Sequence, residues 1–285
     1  MNKQRLGILY MIIASSAFAF MSLMVKLSGG RIPLFEQVFF RNLIMVAFAS
    51  VMLKKDAITI NVPREYRATL SLRCLFGYLG VVSVFYANNH LTLADAQILQ
   101  KLNPFFVILA SVILLGERMT FPRFLTVIAG FTGAAIIIDP TGSFNLFPSL
   151  VGLGSALFSG LAYVSIRKLS GKIHGMVIIF WFSLLSVLFT IPIMLTNLVL
   201  PNSREWLFLI MIGVFSALGQ YFITRAYITT EASKVTLYDY TGVLISPILG
   251  YLVFGELLKP NTLAGTCIII VSGYVAAKLK DPARR

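Results

Sequence analysis

The chain has 285 residues, of which 58% are hydrophobic and only 12% charged, with a mean hydropathy of +0.85. An ordinary soluble domain carries about 25% charged residues, so this composition excludes a water-soluble globular protein and leaves no stretch for an appended soluble domain. The net charge of +13 is distributed over many short segments between apolar runs, which excludes the one-sided basic footprint of a nucleic-acid binder.

Apolar runs between polar punctuation predict ten segments, at about residues 6–27, 33–53, 68–87, 92–115, 121–138, 148–167, 175–196, 204–224, 232–254 and 261–279. Each is long enough to cross a hydrocarbon core of about 30 Å. The first follows Lys3 and Arg5 as a secretory signal would. Its apolar stretch from Leu6 to Val25 exceeds the roughly 7 to 15 residues of a signal core, so it reads as a membrane helix. Pro33, Pro122, Pro148 and Pro260 stand at or beside predicted first turns, where a missing N–H costs nothing. Cys74 and Cys267 lie inside apolar runs, where they behave as small buried hydrophobes and predict neither a disulfide framework nor a metal site. If the first segment starts in the cytoplasm, 17 of the 24 lysines and arginines fall on that side. Four (Lys26, Arg31, Arg204, Lys259) fall on the opposite side, and three (Arg41, Arg73, Lys101) lie within spans. The positive-inside rule then places both termini in the cytoplasm, and the expected location is the cytoplasmic (inner) membrane, as a multi-pass protein.

The two halves of the chain resemble each other. Lys26-Leu27-Ser28-Gly29 returns as Lys168-Leu169-Ser170-Gly171, Gly116-Glu117 as Gly255-Glu256, Gly80 as Gly219 and Ala87 as Ala226, at spacings between 139 and 142. Five segments per copy is an odd number, so the second copy enters the membrane from the other side. The predicted fold is an all-α membrane protein of ten transmembrane helices in two inverted five-helix repeats, residues 1–140 and 146–281, an architecture of secondary transporters.

Pro104 stands twelve residues before Gly116-Glu117. Phe85-Tyr86-Ala87 leads into Ala94-Asp95-Ala96 and then Leu102-Asn103-Pro104-Phe105-Phe106. With the ten-segment arrangement, these features resemble the drug/metabolite transporter superfamily, in its EamA-type branch, across the whole chain. One departure is that Val243 stands where the first half has Pro104, with Pro247 a turn further on. The resemblance implies a transporter of amino acids, related pathway metabolites, nucleotide-linked compounds or organic anions.

Charges within spans cost roughly 2.5 to 3.5 kcal/mol each near a helix centre, so they face a wet cavity or one another. Glu36, Arg41, Arg73, Lys101 and Asp239 are such residues. Gln97, Gln100, Lys101 and Pro104 follow the spacing of one helical face, and the repeat lays Thr236, Asp239 and Tyr240 on Gln97, Gln100 and Lys101. Pro104 and Pro247 each delete a backbone hydrogen bond near that level. Lys101 and Asp239 read equally as an ion pair between segments or as substrate contacts. Arg73 reads either as a cavity residue, beside Gly77 and Gly80, or as a side chain snorkelling to the headgroups. Gly116-Glu117 and Gly255-Glu256 read as helix ends, and Gly152, Ala156, Gly160, Gly265 and Gly273 as packing surfaces.

No H-E-x-x-H, P-loop or G-x-S-x-G pattern is present, and His90 and His174 stand alone. The chain therefore reads as a non-enzyme with no cofactor or metal and no ATP site. The expected function is secondary transport of a small anionic or zwitterionic metabolite, such as an organic acid or amino-acid-related compound, by alternating access. The expected substrate-binding residues are Arg41, Lys101, Arg73, Gln97, Gln100, Asp239, Tyr240 and Glu36. Arginine's planar fork suits a carboxylate, and three intramembrane cations outnumber Glu36 and Asp239, the two carboxylates that would carry protons if transport is proton-coupled. The expected partners are the small-molecule substrate, a proton or counter-substrate, and membrane lipid, with the protein a monomer or homodimer. The rival readings are an organic-cation or drug exporter, which would use Glu36, Asp239 and aromatic residues, and a non-transporting membrane receptor.

Overall fold

The structure is a computed structural model and describes residues 3–115, 119–138, 146–229 and 236–279. Its helices are α1 (Lys3–Ser28), α2 (Leu34–Lys55), α3 (Arg64–His90), α4 (Leu93–Gln100), α5 (Asn103–Leu115), α6 (Phe121–Ile138), α7 (Leu146–Leu169), α8 (Gly175–Met194), α9 (Ser203–Thr229), α10 (Thr241–Phe254) and α11 (Pro260–Lys278). Short 3-10 turns occupy Leu195–Asn197 and Thr236–Tyr240, and the described residues contain no strand. Eight of the helices, all but α4, α5 and α10, are long and apolar enough to cross a membrane.

The three exceptions come from the fourth apolar run, which is interrupted, and from the ninth, whose described part opens with a 3-10 turn. The fourth run was expected to be one helix with Gln97, Gln100 and Lys101 on a continuous face. Instead α4 stops at Gln100, Lys101 and Leu102 form a turn, and α5 begins at Asn103. Pro104 explains the break. It has no N–H to give the Gln100 carbonyl, and it disfavours helical geometry in the residue before it unless a new helix starts there. Pro104 falls in the first turn of α5, the position that tolerates it best. The other end of α4 is set by Thr92, whose side chain accepts the Asp95 backbone N–H at 3.1 Å, an N-cap. In the ninth run, a 3-10 turn carrying Asp239 and Tyr240 precedes α10. Ser15 of α1 secures that junction, its hydroxyl donating to the Asp239 carbonyl at 2.5 Å and accepting from the Gly242 N–H at 2.8 Å.

The helices of the two halves interleave. α1 packs on α9, α2 on α8, α3 on α7 and α6 on α11, so each main partnership joins an early segment to a late one. Lipid supplies no hydrophobic drive for such pairing, which depends on close van der Waals fit and small residues. One such close approach is between α6 and α11, where a Cβ on Gly265 would stand 2.5 Å from the Gly133 carbonyl oxygen. Gly160 similarly admits α5, since a Cβ there would lie 2.9 Å from Phe106 and 3.2 Å from the Val107 nitrogen. Gly255 ends α10 at φ +68°, a left-handed cap that glycine adopts without strain. Gly116 and Glu117 lie outside the described residues.

Candidate functional site

A cavity of about 150 Å³ lies between α1, α2, α3, α7, α8 and α9, the break between α4 and α5, and the 3-10 turn before α10. Arg41 of α2 and Arg73 of α3 reach it from antiparallel helices, and the two residues are only 6% and 7% exposed. Their guanidinium carbons stand 5.8 and 4.5 Å from the centroid of one ring, Phe182 of α8. Arg41 Nη1 donates to Asn42 Oδ1 at 2.8 Å. Arg41 Nε and both Arg73 Nε and Nη1 are buried without a hydrogen-bond partner. Burying an ionised side chain costs several kcal/mol even after relaxation, whereas a desolvated cation–π contact returns about 2 kcal/mol. The fold thus holds two cations here at a net cost.

The snorkelling alternative for Arg73 does not match this geometry. α3 starts at Arg64, a turn earlier than predicted, which sets Arg73 about 13 Å along the helix, and its head lies over Phe182 instead of reaching a helix end. Gly77, one turn along, creates the room. A Cβ there would stand 2.0 Å from Arg73 Nη1 and 2.8 Å from the Phe182 ring.

Lys101, in the break between α4 and α5, donates to Asp239 Oδ2 at 2.5 Å across the cavity wall. The break between α4 and α5 and the 3-10 turn before α10 therefore meet through an ion pair while both residues keep a face on the cavity. Gln100, Asn103, Tyr163 and Gln220 add polar lining. Gln97 also lines it, but its amide donates to Ser22 Oγ at 2.6 Å, a hydroxyl that receives Asn88 as well at 3.1 Å. Those bonds tie α1, α3 and α4 together at one boundary of the cavity.

Beyond that boundary, the end of the bundle where α1 finishes is held by paired charges. Lys26 pairs with Glu256 and donates to the Leu91 carbonyl at 2.5 Å, while Glu256 also accepts the Leu93 N–H at 2.9 Å. Arg31 grips Glu205 through two bonds of 2.8 Å, and Glu205 takes a third from the Asn202 N–H. Glu36 belongs to this end, where it is 1% exposed and accepts the Val199 N–H at 3.2 Å. Its side chain does not line the cavity. Tyr240 does not line it either: its hydroxyl lies over Gly273, where a Cβ would be 2.1 Å away, and its ring packs in an apolar cluster with Leu102, Val243 and Ile269. The structure thus gathers Arg41, Arg73, Gln97, Gln100, Lys101 and Asp239, and leaves out Glu36 and Tyr240. Sequence reasoning missed Ser15, Asn103, Tyr163, Phe182 and Gln220. Gln220 carried a usable signal, an amide deep in an otherwise apolar run; Phe182 carried none.

Apolar spans packed around a charged cavity, where a helix break and a 3-10 turn meet at an ion pair, define a multi-pass membrane protein with a polar site inside it. The chain belongs to the EamA-like transporter family, whose model matches residues 5–139 and 146–277, and it is a multi-pass membrane protein. It is 35% identical to the pseudopaline exporter CntI of Pseudomonas aeruginosa, over 96% of each chain. It is 28% identical to a riboflavin transporter of Brucella anthropi, over 91% of this chain and 94% of that one. With an S-adenosylmethionine uptake transporter of Rickettsia prowazekii it shares 24% identity over 93% and 90% of the two chains. A solved crystal structure superposes over 98% of both chains with a TM-score of 0.67 at 19% identity, a likeness of fold alone.

Proposed function

We propose that this metabolite transporter is a secondary carrier of a small anionic or zwitterionic metabolite. It crosses the cytoplasmic membrane ten times in two inverted five-helix units, residues 1–140 and 146–281, with both termini cytoplasmic, and works by alternating access. The observation that carries the cargo assignment is the arginine pair, two buried guanidiniums at one cavity with nitrogen donors left unpaired. Unpaired buried cations are costly, and an incoming carboxylate or phosphate would satisfy them by charge-assisted, bidentate hydrogen bonds. The paired charges at the far end of the bundle support an alternating cycle, because opening that end would require those contacts to part. Of the two carboxylates considered as proton carriers, Asp239 is the one at the cavity. The organic-cation reading has less support, since Asp239 is already engaged by Lys101 and Glu36 lies elsewhere.

The test is transport in proteoliposomes with matched carboxylate and amine series. Carboxylates should be moved in preference, and Arg41→Lys should reduce the rate although it keeps the charge, because the fork geometry is lost. Preference for the amines would sink the assignment, as would full carboxylate transport in Arg41→Ala.

A further inference from the structure

The charge balance of the cavity specifies more than the sign of the cargo. Among the described residues, the ionisable side chains of ordinary charge that line it are Arg41, Arg73, Lys101 and Asp239. Asp239 is bonded to Lys101 at 2.5 Å, so that pair is neutral and both arginines remain uncompensated. The sequence alone set Glu36 against one of them. In the structure Glu36 is committed to the Val199 N–H at the other end of the bundle, and the surplus rises from one positive charge to two. The two surplus charges are also neighbours, 5.8 and 4.5 Å from the same Phe182 centroid, and Arg41 and Arg73 are more than nine-tenths buried. Water alone compensates such a pair poorly, because each charge raises the cost of the other.

We infer that the cargo is a compact metabolite of net charge minus two, whose anionic groups are taken up together by Arg41 and Arg73. This rests on the anionic reading of the site and goes beyond it by fixing the charge. Short dicarboxylates and phosphomonoesters both supply this chemistry. Compactness follows from the cavity, whose volume of about 150 Å³ is below the roughly 300 Å³ at which pockets for drug-sized ligands begin. Phe182 sets the spacing of the two guanidiniums, and Gly77 leaves the gap that keeps Arg73 over its ring. The Lys101–Asp239 pair stays closed on this reading, so a ligand ammonium group is not required.

The experiment measures thermal stabilisation of the purified full-length protein by four probes at equal ionic strength: succinate, its monoamide succinamate, neutral succinamide, and glycerol phosphate. The two dianions should bind about tenfold to a hundredfold more tightly than succinamate, the worth of one further charged hydrogen-bonded contact. Succinamide should give no shift. Arg73→Gln and Arg41→Gln should each erase the dianion preference while succinamate still binds, and Arg73→Lys, which keeps the charge, should retain part of it. Dianions that stabilise no better than succinamate, including the case in which neither does, would overturn the inference. So would a preference that survives both glutamine variants. If succinamate binds as well as succinate, the anionic reading stands and only the charge assignment falls; if the amines of the transport series are preferred, both fall.

Discussion

At the end of the bundle where α1 and α10 finish, Lys26 meets Glu256 and Arg31 meets Glu205, and backbone groups of Leu91, Leu93 and Asn202 occupy further donors and acceptors on the same side chains. In the cavity, Arg41 and Arg73 share an aromatic ring and leave three nitrogens without partners. The first region has its hydrogen bonds in place as the chain folds. The second bears a cost of burial that packing does not offset. A paired charge of the first kind holds helices in place, and on the proposed function an unpaired buried charge of the second kind is kept for what it does with a ligand. Stability and function should therefore respond in opposite ways when each region is altered.

The sharpest way to break this comparison is Arg73→Met. It removes an unpaired buried cation and fills the space with a side chain of similar reach, so the ligand-free protein should melt at a higher temperature while anion-induced stabilisation and transport are lost. A lower melting point with transport intact would show that Arg73 is structural. Lys26→Met should do the reverse, lowering stability by about 1–3 kcal/mol because Glu256 is left partly buried without its cation. The double variant Lys26→Met with Glu256→Met should recover part of that loss in a thermal melt, and the absence of any recovery would mean that the two residues are not coupled. The smallest effect belongs to Arg31→Ala. Its side chain is 54% exposed, and solvent and salt screen such a pair. Its melting shift should be slight at low salt and vanish at high salt.

Much of this was legible in the sequence because lipid imposes length and apolarity on every crossing segment. Eight of the ten runs became single helices long and apolar enough to cross a membrane, with ends mostly within a few residues of the predicted ones. The three cations inside spans, Arg41, Arg73 and Lys101, all reached the cavity, since a charge in a membrane has few other places to go. What the sequence left hidden shares a cause. Helices that are apolar on every side carry no stripe to show which face meets a neighbour, so the rotation that sends Glu36 to Val199 and Tyr240 to Gly273 was invisible. Phe182 could not be distinguished from the lipid-facing phenylalanines around it. The break at Lys101 was half legible, because Pro104 marked the level but left open whether the helix would bend or restart.

The glycine contact between α6 and α11 has a consequence for how the protein is made. Gly133 is translated long before Gly265, the residue whose backbone it nearly touches. At a synthesis rate of about 5–20 residues per second, the delay is on the order of ten seconds. Until then, α6 has no α11 to pack against its glycines. Docking of α11 supplies that contact, so the bundle is completed by a helix added late in synthesis, and a chain cut short before Pro260 would leave α6 without the partner its glycines are shaped to receive.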